Sequence, residues 1–116
     1  MHESAFTDSL LSLVLSKAQE AGGGKITRIN VVIGEISGIV DDCVLQYFNI
    51  LRENTPAESA ELIFEKKSLL LKCRVCGQEF TPAGGPWECP ECHEASVEIL
   101  SGRDCYLQSI EVDNDH

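Results

Sequence analysis

Basic residues are scarce in this chain of 116 residues, which has 9 lysines and arginines against 19 aspartates and glutamates and a formal net charge of −10. A nucleic-acid-binding domain needs a basic patch to neutralise phosphates, and an anionic lipid surface repels a protein of this charge. The composition therefore argues against nucleic acid and membranes as partners. It favours a basic protein partner or a cationic ligand.

Long apolar runs are also missing. No stretch approaches the roughly 18 apolar residues that a membrane-spanning helix needs. The first residues lack the basic region and apolar core of a secretory signal peptide, so we expect a cytoplasmic protein in a reducing compartment. Cys43 and Cys105 are then predicted to be free thiols, buried as small apolar side chains.

Catalytic motifs are equally hard to find. The chain has three histidines, no two of them at the spacing of a catalytic or metal-binding pair, and no glycine-rich phosphate loop. Glu35, Asp41 and Asp42 could line a pocket, but acidic residues of this kind are more often solvated. No group of residues meets the roles of an active site, so the sequence predicts a protein that is not an enzyme.

Cysteine is the residue type that does form a pattern. Cys73 and Cys76 make one Cys-x2-Cys pair, and Cys89 and Cys92 make a second after twelve residues. Two such turns can place four thiolates in a tetrahedron around Zn²⁺, and four sulfur ligands leave no open position, so the ion would be structural. Disulfides in a secreted protein, or iron held by the same thiolates, are the alternatives. The colour of the purified protein separates iron from zinc.

Apolar periodicity predicts two helices. The first would span residues 4–21 with Ser4 as its N-cap, and the second would span about 41–54 and end before Pro56. We expect the second helix to bury Val44, Leu45, Phe48 and Leu51.

Five short segments are predicted to be strands: 26–33, 60–65, 68–72, 97–100 and 105–112. Lys66-Lys67 would form the turn of a hairpin, and the last strand would return to the sheet of the first. The fold class is then α+β, a small mixed sheet with two helices plus an inserted zinc-ribbon-like four-cysteine module. We predict an α+β domain of residues 1–72 and 97–116 and a zinc-binding module of residues 73–96, which has too few aliphatic residues to fold without its ion.

The first three residues have a chemistry of their own. The amine of Met1, the amide nitrogen of His2 and its imidazole can chelate one ion through fused five- and six-membered rings. Such nitrogen-rich donor sets suit Ni²⁺ and Cu²⁺. Glu3 could add its amide nitrogen or its carboxylate. Taken alone, a histidine near a terminus is more often simply solvated.

The combination of these features resembles the HypA/HybF family, the nickel metallochaperones of [NiFe]-hydrogenase maturation. The specific parts are the Met1-His2-Glu3 start and the quartet Cys73, Cys76, Cys89 and Cys92; the Ile33-Gly34-Glu35 segment with Ser37 agrees but discriminates less. The similarity covers the whole length and the order of elements.

This resemblance implies that Ni²⁺, as transported cargo, would bind at Met1, His2 and Glu3 in the α+β domain, with Zn²⁺ as a structural ion on the four cysteines. The implied partners are the maturation GTPase HypB and the hydrogenase large subunit, and some relatives also serve urease maturation. Neither nucleic acid nor a membrane is implied, and the chain would be a monomer or a weak homodimer.

Two positions near these sites call for separate interpretation. Some family members carry an aspartate in the loop after the Gly-Glu pair, where this chain has Val40 followed by Asp41 and Asp42, so we expect no acidic ligand from the loop. His93 follows Cys92 and could tune or exchange a zinc ligand. Because four thiolates already complete the shell, an exposed histidine is the favoured interpretation.

A protein-interaction or transcription accessory module built on a zinc ribbon is the alternative function. Zinc ribbons often serve nucleic-acid machinery, but the charge of −10 and the missing basic patch argue against that role. A gel-shift assay with nucleic acid would separate the two functions.

Overall fold

The computed structural model describes residues 3–82 and 87–113. Two helices and six strands follow one another in the order α1 (Glu3–Glu20), β1 (Lys25–Gly34), α2 (Asp41–Leu51), β2 (Glu61–Lys67), β3 (Leu70–Cys73), β4 (Glu79–Phe80), β5 (Val97–Ser101) and β6 (Cys105–Asp113). The predicted α+β class is confirmed. Neither helix in the described ranges is long and apolar enough to span a bilayer.

The first sheet has the strand order β2-β1-β6. β1 pairs in parallel with β2 and antiparallel with β6, so the sheet is mixed, as expected. The last strand, β6, pairs with β1, so it returns to the sheet of the first strand as predicted. Because β1 is the central strand, its apolar residues Ile26, Ile29, Val31 and Ile33 are all buried.

A register shift explains why the burial of β1 departs from simple alternation. Ile26 and Ile29 are three residues apart, yet both are fully buried, which regular period-two pleating would not allow. The pairing with β6 shifts between Ile26 and Arg28, where the strand carries an additional residue. Such a bulge reverses the side-chain phase and lets both isoleucines face the core.

The two helices close the core over this sheet. α1 contributes Leu10, Val14 and Ala18, which recur every four residues and therefore share one face. α2 contributes Val44 and Phe48, both fully buried. The prediction that Leu45 and Leu51 are buried is wrong, since each is 37% exposed. The buried stripe of α2 is narrow, and these two leucines lie on its flanks.

The helix ends also differ from the prediction. α1 already includes Glu3, so Ser4 lies within the helix and is not its N-cap. α2 ends at Leu51, three residues early, and Asn54 then adopts a φ of 63°. Arg52 stabilises this exit, because its guanidinium donates to the Ala60 carbonyl oxygen at 2.7 Å.

The predicted hairpin at Lys66-Lys67 is wrong. Both lysines belong to β2, where they pair in parallel with Ile33 and Gly34 of β1. The chain then crosses at Ser68 into a second sheet of order β4-β3-β5, which is antiparallel. Local alternation shows that a segment is extended, but it does not reveal which strand will be its neighbour.

The second sheet carries the cysteine segment, since β3 ends at Cys73 and β5 begins at Val97. The division into a domain of residues 1–72 and 97–116 and a module of residues 73–96 stays a prediction. None of the six cysteines, all of which lie in the described ranges, forms a disulfide. Cys43 and Cys105 are half-buried, so the expectation that both are buried is wrong. Cys105 packs at the margin of the core cluster.

Candidate metal centre

The four cysteines of the two pairs converge on one point. Their Sγ atoms all lie within 4.8 Å of one another, the one such group of potential ligands in the described part of the chain. The Cys73–Cys92 and Cys76–Cys89 sulfur pairs are 3.5 and 3.6 Å apart. A Zn–S bond of about 2.3 Å implies tetrahedron edges of about 3.8 Å. The separations between the sulfur atoms are therefore close to those that one zinc ion needs.

The first turn begins where β3 ends. The amides of Val75 and Cys76 point at the Cys73 sulfur, at 3.4 and 3.5 Å. The Gly77 amide donates to the Cys73 carbonyl oxygen at 3.0 Å, and Gly77 has the positive φ, 80°, that such a turn often requires. Backbone donors aimed at the sulfur stabilise its thiolate form.

The second turn repeats this geometry with a histidine in place of the glycine. His93 lies four residues after Cys89, as Gly77 lies four after Cys73. Its amide donates to the Cys89 carbonyl oxygen at 2.9 Å, and its φ is 63°. The ring turns away from the sulfur atoms, because Nδ1 lies 3.2 Å from the Glu88 carboxylate and the side chain is 74% exposed. The structure thus places His93 outside the ligand group.

The thiols do not titrate alike. The Cys76 amide, helped by the Val75 amide and the thiols of Cys92 and Cys76, lowers the pKa of Cys73 to about 7 against the opposing effect of burial. For Cys92 the Glu94 amide lowers the pKa, but hydrogen bonding with Cys73, burial and the other two thiols outweigh it and raise the pKa to about 12.

The Cys76 pKa is also raised. There the Gln78 amide acts to lower the pKa, but partial desolvation of the sulfur by the neighbouring groups, together with the Cys89 and Cys73 thiols, outweighs it although the residue as a whole is exposed. The lowered pKa favours the thiolate at Cys73, whereas the neighbouring thiols disfavour deprotonation of Cys76 and Cys92. A bound divalent cation removes that opposition and favours the thiolates outright.

The donor set fits zinc. All four donors are sulfur, which selects Zn²⁺ or iron over the hard cations that prefer oxygen. Cys73 and Cys89 are fully buried, Cys92 is half-buried and Cys76 is exposed. A closed four-sulfur shell leaves no place for water or substrate, which is typical of a structural ion.

The N-terminal candidate ligands are described only in part. Met1 and His2 lie outside the described residues. Glu3 begins α1, and its carboxylate Oε2 accepts a hydrogen bond from the Val40 amide at 3.1 Å. Sequence reasoning missed this contact, because the two residues are 37 positions apart and Val40 has no polar side chain to signal it.

The loop before α2 is therefore the neighbour of the N-terminal segment. Val40 is 51% exposed and is the residue that precedes α2. Asp41 accepts the amide of Asp42 at 2.9 Å through its own carboxylate, as acidic residues at a helix N-terminus commonly do. Neither aspartate belongs to the cysteine group, and neither does Glu3.

Comparison with known families gives one match that spans nearly the whole chain. The family model described as "Hydrogenase/urease nickel incorporation, metallochaperone, hypA" matches residues 1–112. This stretch includes both the N-terminal residues and the four cysteines. The family resemblance seen in the sequence is thereby confirmed.

Curated relatives agree with the family match. The hydrogenase maturation factor HypA of Dehalococcoides mccartyi (strain ATCC BAA-2266 / KCTC 15142 / 195) is 40% identical over 115 residues, covering 99% of this chain and 97% of the relative. The protein of the same name from Aquifex aeolicus (strain VF5) is 37% identical and is covered over its full length.

Solved structures show the same fold. The solution structure of the Ni metallochaperone HypA from Helicobacter pylori superposes with a TM-score of 0.74 at 30% sequence identity, covering 97% of each chain. A second solution structure, of a HypA protein, gives a TM-score of 0.79 at 30% identity, covering 99% of this chain and 98% of the other.

Proposed function

This chain belongs to the HypA family of hydrogenase and urease nickel-incorporation metallochaperones, and from that premise we propose that it binds Ni²⁺ at its N-terminus and delivers the ion for assembly of the [NiFe]-hydrogenase active site. The proposed donors are the amine of Met1, the amide and imidazole nitrogens of His2, and Glu3. The observation that carries the proposal is the family match over residues 1–112, which includes these residues. Their nitrogen-rich chemistry suits Ni²⁺.

For Glu3 we propose the main-chain nitrogen as the donor. Its carboxylate Oε2 accepts the Val40 amide, which draws the side chain toward the loop before α2. The same contact ties the beginning of α1 to α2. A ligand set on three consecutive residues can release its ion with little loss of tertiary structure.

The four-cysteine centre is proposed to hold Zn²⁺ as a structural ion. The sulfur distances and the closed donor set support zinc. The two proposed sites then differ in kind, because one is a short segment that can release its ion and the other ties together residues nineteen positions apart.

The proposed partners receive or help to deliver the nickel in the cytoplasm. They are the maturation GTPase HypB and the hydrogenase large subunit, with urease maturation proteins as a further set. The family description, which names both hydrogenase and urease nickel incorporation, supports partners of this class. The acidic charge of −10 suits a basic protein surface.

Blocking the N-terminal amine tests the nickel site. We expect a tag fused before Met1 to weaken Ni²⁺ binding at least about tenfold, because that loss is seen even for groups that only support a ligand. Isothermal titration of Ni²⁺ into zinc-loaded, tagged and untagged protein measures the effect, and zinc content should not change.

His2→Ala should give a similar loss with an unchanged circular dichroism spectrum. His93→Ala is the matched control, because this exposed histidine lies outside the ligand group. Equal nickel affinity in tagged and untagged protein would remove the basis of the proposal.

A further inference from the structure

We propose that Glu35 is a positioning residue, whose carboxylate fixes the direction in which β3 and the four-cysteine segment leave the first sheet. From the sequence, Glu35 belonged to a segment that agrees with the family, and its carboxylate could line a pocket but was expected more often to be solvated. The proposal concerns the arrangement of the chain and does not depend on the nickel site.

The two sheets are joined where the chain crosses between them twice. The first crossing runs from β2 to β3 through Ser68 and Leu69, and the second runs from β5 to β6 through residues 102–104. The turn that follows β1, residues 34–36, lies against both crossings. Three separate segments of the chain therefore meet at this junction.

Backbone hydrogen bonds hold these three segments together. The Glu35 amide donates to the Lys67 carbonyl oxygen at 2.9 Å, at the end of β2 and directly before the first crossing. The Gly34 amide donates to the Asp104 carbonyl oxygen at 3.0 Å, and the Ile36 amide donates to that of Gly102 at 2.8 Å, on the second. The turn after β1 thus bridges both crossings.

Two glycines let the backbone segments of the junction approach each other closely. A Cβ on Gly34 would lie 2.5 Å from the Gly102 carbonyl oxygen. A Cβ on Gly102, which has a φ of 97°, would lie 2.6 Å from the Leu69 Cα. These atoms are all backbone, so a side chain at either position would force the segments apart.

Glu35 adds the side-chain contact that reaches the first residue before β3. Its Oε1 accepts the Leu69 amide at 2.7 Å, a short distance for a hydrogen bond to an ionised acceptor. Leu69 is only 2% exposed, so its amide would be costly to leave unpaired. β3 begins one residue later, at Leu70, and ends at Cys73. The direction of the chain at Leu69 therefore determines where this short strand places the first sulfur ligand.

Residual dipolar couplings of zinc-loaded, isotopically labelled protein test this positioning role. In the native chain, couplings from the first sheet and from the second sheet should fit a single alignment tensor. In Glu35→Ala the two sheets should need separate tensors, and exchange of the Leu69 amide with solvent should quicken about tenfold or more, because a hydrogen bond to a charged acceptor is lost.

Glu35→Gln is the matched control, because the Gln side-chain oxygen can still accept the Leu69 amide. It should retain a single tensor. Zinc content and the melting temperature of the first sheet should stay the same in both variants, which separates a loss of orientation from a loss of fold. If the couplings of the native chain already required two alignment tensors, the proposal would be overturned before any variant was measured. A Glu35→Ala protein that keeps one tensor and slow Leu69 exchange would also overturn it.

Discussion

At the scale of single residues, two carboxylates in the described part of the chain hold distant backbone segments in place. The carboxylates of Glu3 and Glu35 both accept main-chain amides, of Val40 and Leu69 respectively. In each case the partner is more than 30 positions away in sequence. An acidic chain can therefore hold several of its turns together without many salt bridges.

The role of Glu3 can be tested by a change that removes only its charge. If its main-chain nitrogen is the nickel donor, Glu3→Gln should bind Ni²⁺ with an affinity within about threefold of the native value, because the amide oxygen can still accept from Val40. Titration calorimetry measures this, with Glu3→Ala as the variant that also loses the contact. A fall of more than tenfold in Glu3→Gln would instead indicate that the carboxylate binds the ion.

The paired positions Gly77 and His93 show the effect of backbone conformation at this scale. Both have positive φ, but only Gly77 adopts it without steric cost. A Cβ on Gly77 would meet no atom within 4 Å, so a substitution there would feel the backbone strain alone.

Gly77→Ala should therefore destabilise the zinc-loaded cysteine segment by about 1 kcal/mol, and His93→Gly should stabilise it by a smaller amount. The competition of a chelator for zinc in each variant measures this difference. The same zinc retention in both variants would show that φ at these positions does not limit the turns.

At the scale of elements, α2 shows how narrow a buried face can be. Phe48 is fully buried and Ile50, on the same helix, is 71% exposed. Arg52 further covers the Phe48 ring, with its guanidinium carbon 5.6 Å from the ring centroid. Two residues of similar hydrophobicity thus have opposite environments.

Phe48→Ala should lower the free energy of unfolding by about 3–5 kcal/mol, because it removes a large side chain from a packed core. Ile50→Ala on the same helix should change it by no more than about 0.5 kcal/mol. Urea denaturation followed by circular dichroism gives both values. A decrease in the free energy of unfolding of several kcal/mol in Ile50→Ala would mean that the exposed face of α2 is covered in solution.

The central strand is the other informative element. Arg28 lies between Glu61 of β2 and Glu111 of β6, with nitrogen–oxygen distances of 3.4 and 3.1 Å. Each pair is well exposed and contributes little to stability by itself. Glu61 and Glu111 are also the residues directly opposite Arg28 in the pairing of β1 with β2 and with β6. Arg28 therefore links the three adjacent strands on one face of the sheet.

At the scale of the whole molecule, the chain is elongated, with principal extents of 59, 25 and 17 Å. The first sheet has a core of apolar side chains from both helices, whereas the second sheet is small and carries the cysteines. Residues 73–96 include few aliphatic side chains, and we expect such a segment to depend on its ion for folding.

Removal of zinc should therefore unfold the cysteine segment and leave the first sheet intact. We expect amide resonances of residues 73–82 and 87–97 to collapse toward random-coil positions after chelation, while those of β1 and α1 keep their dispersion. Nuclear magnetic resonance of the labelled protein before and after chelator treatment measures this. Loss of all native resonances would show that the two parts fold as one unit.

Short-range patterns in the sequence determined the elements and the metal centre. Cys-x2-Cys spacing specifies a turn that directs two sulfur atoms to one side, and the helical and strand periodicities follow from local geometry. The cysteine turns, both helices and five of the six strands could therefore be predicted without a structure, whereas β4, which has two residues, could not. The proposed N-terminal donor set, too, is a property of three consecutive residues.

The tertiary structure alone decided how distant segments meet. It made β2 a parallel partner of β1, placed Lys66 and Lys67 in that strand, and brought Glu3 to Val40 and Glu35 to Leu69. Strand pairing and side-chain contacts to a backbone amide depend on which segments pack together. Because every residue offers the same amide, no sequence pattern marks the one that a distant carboxylate will bind.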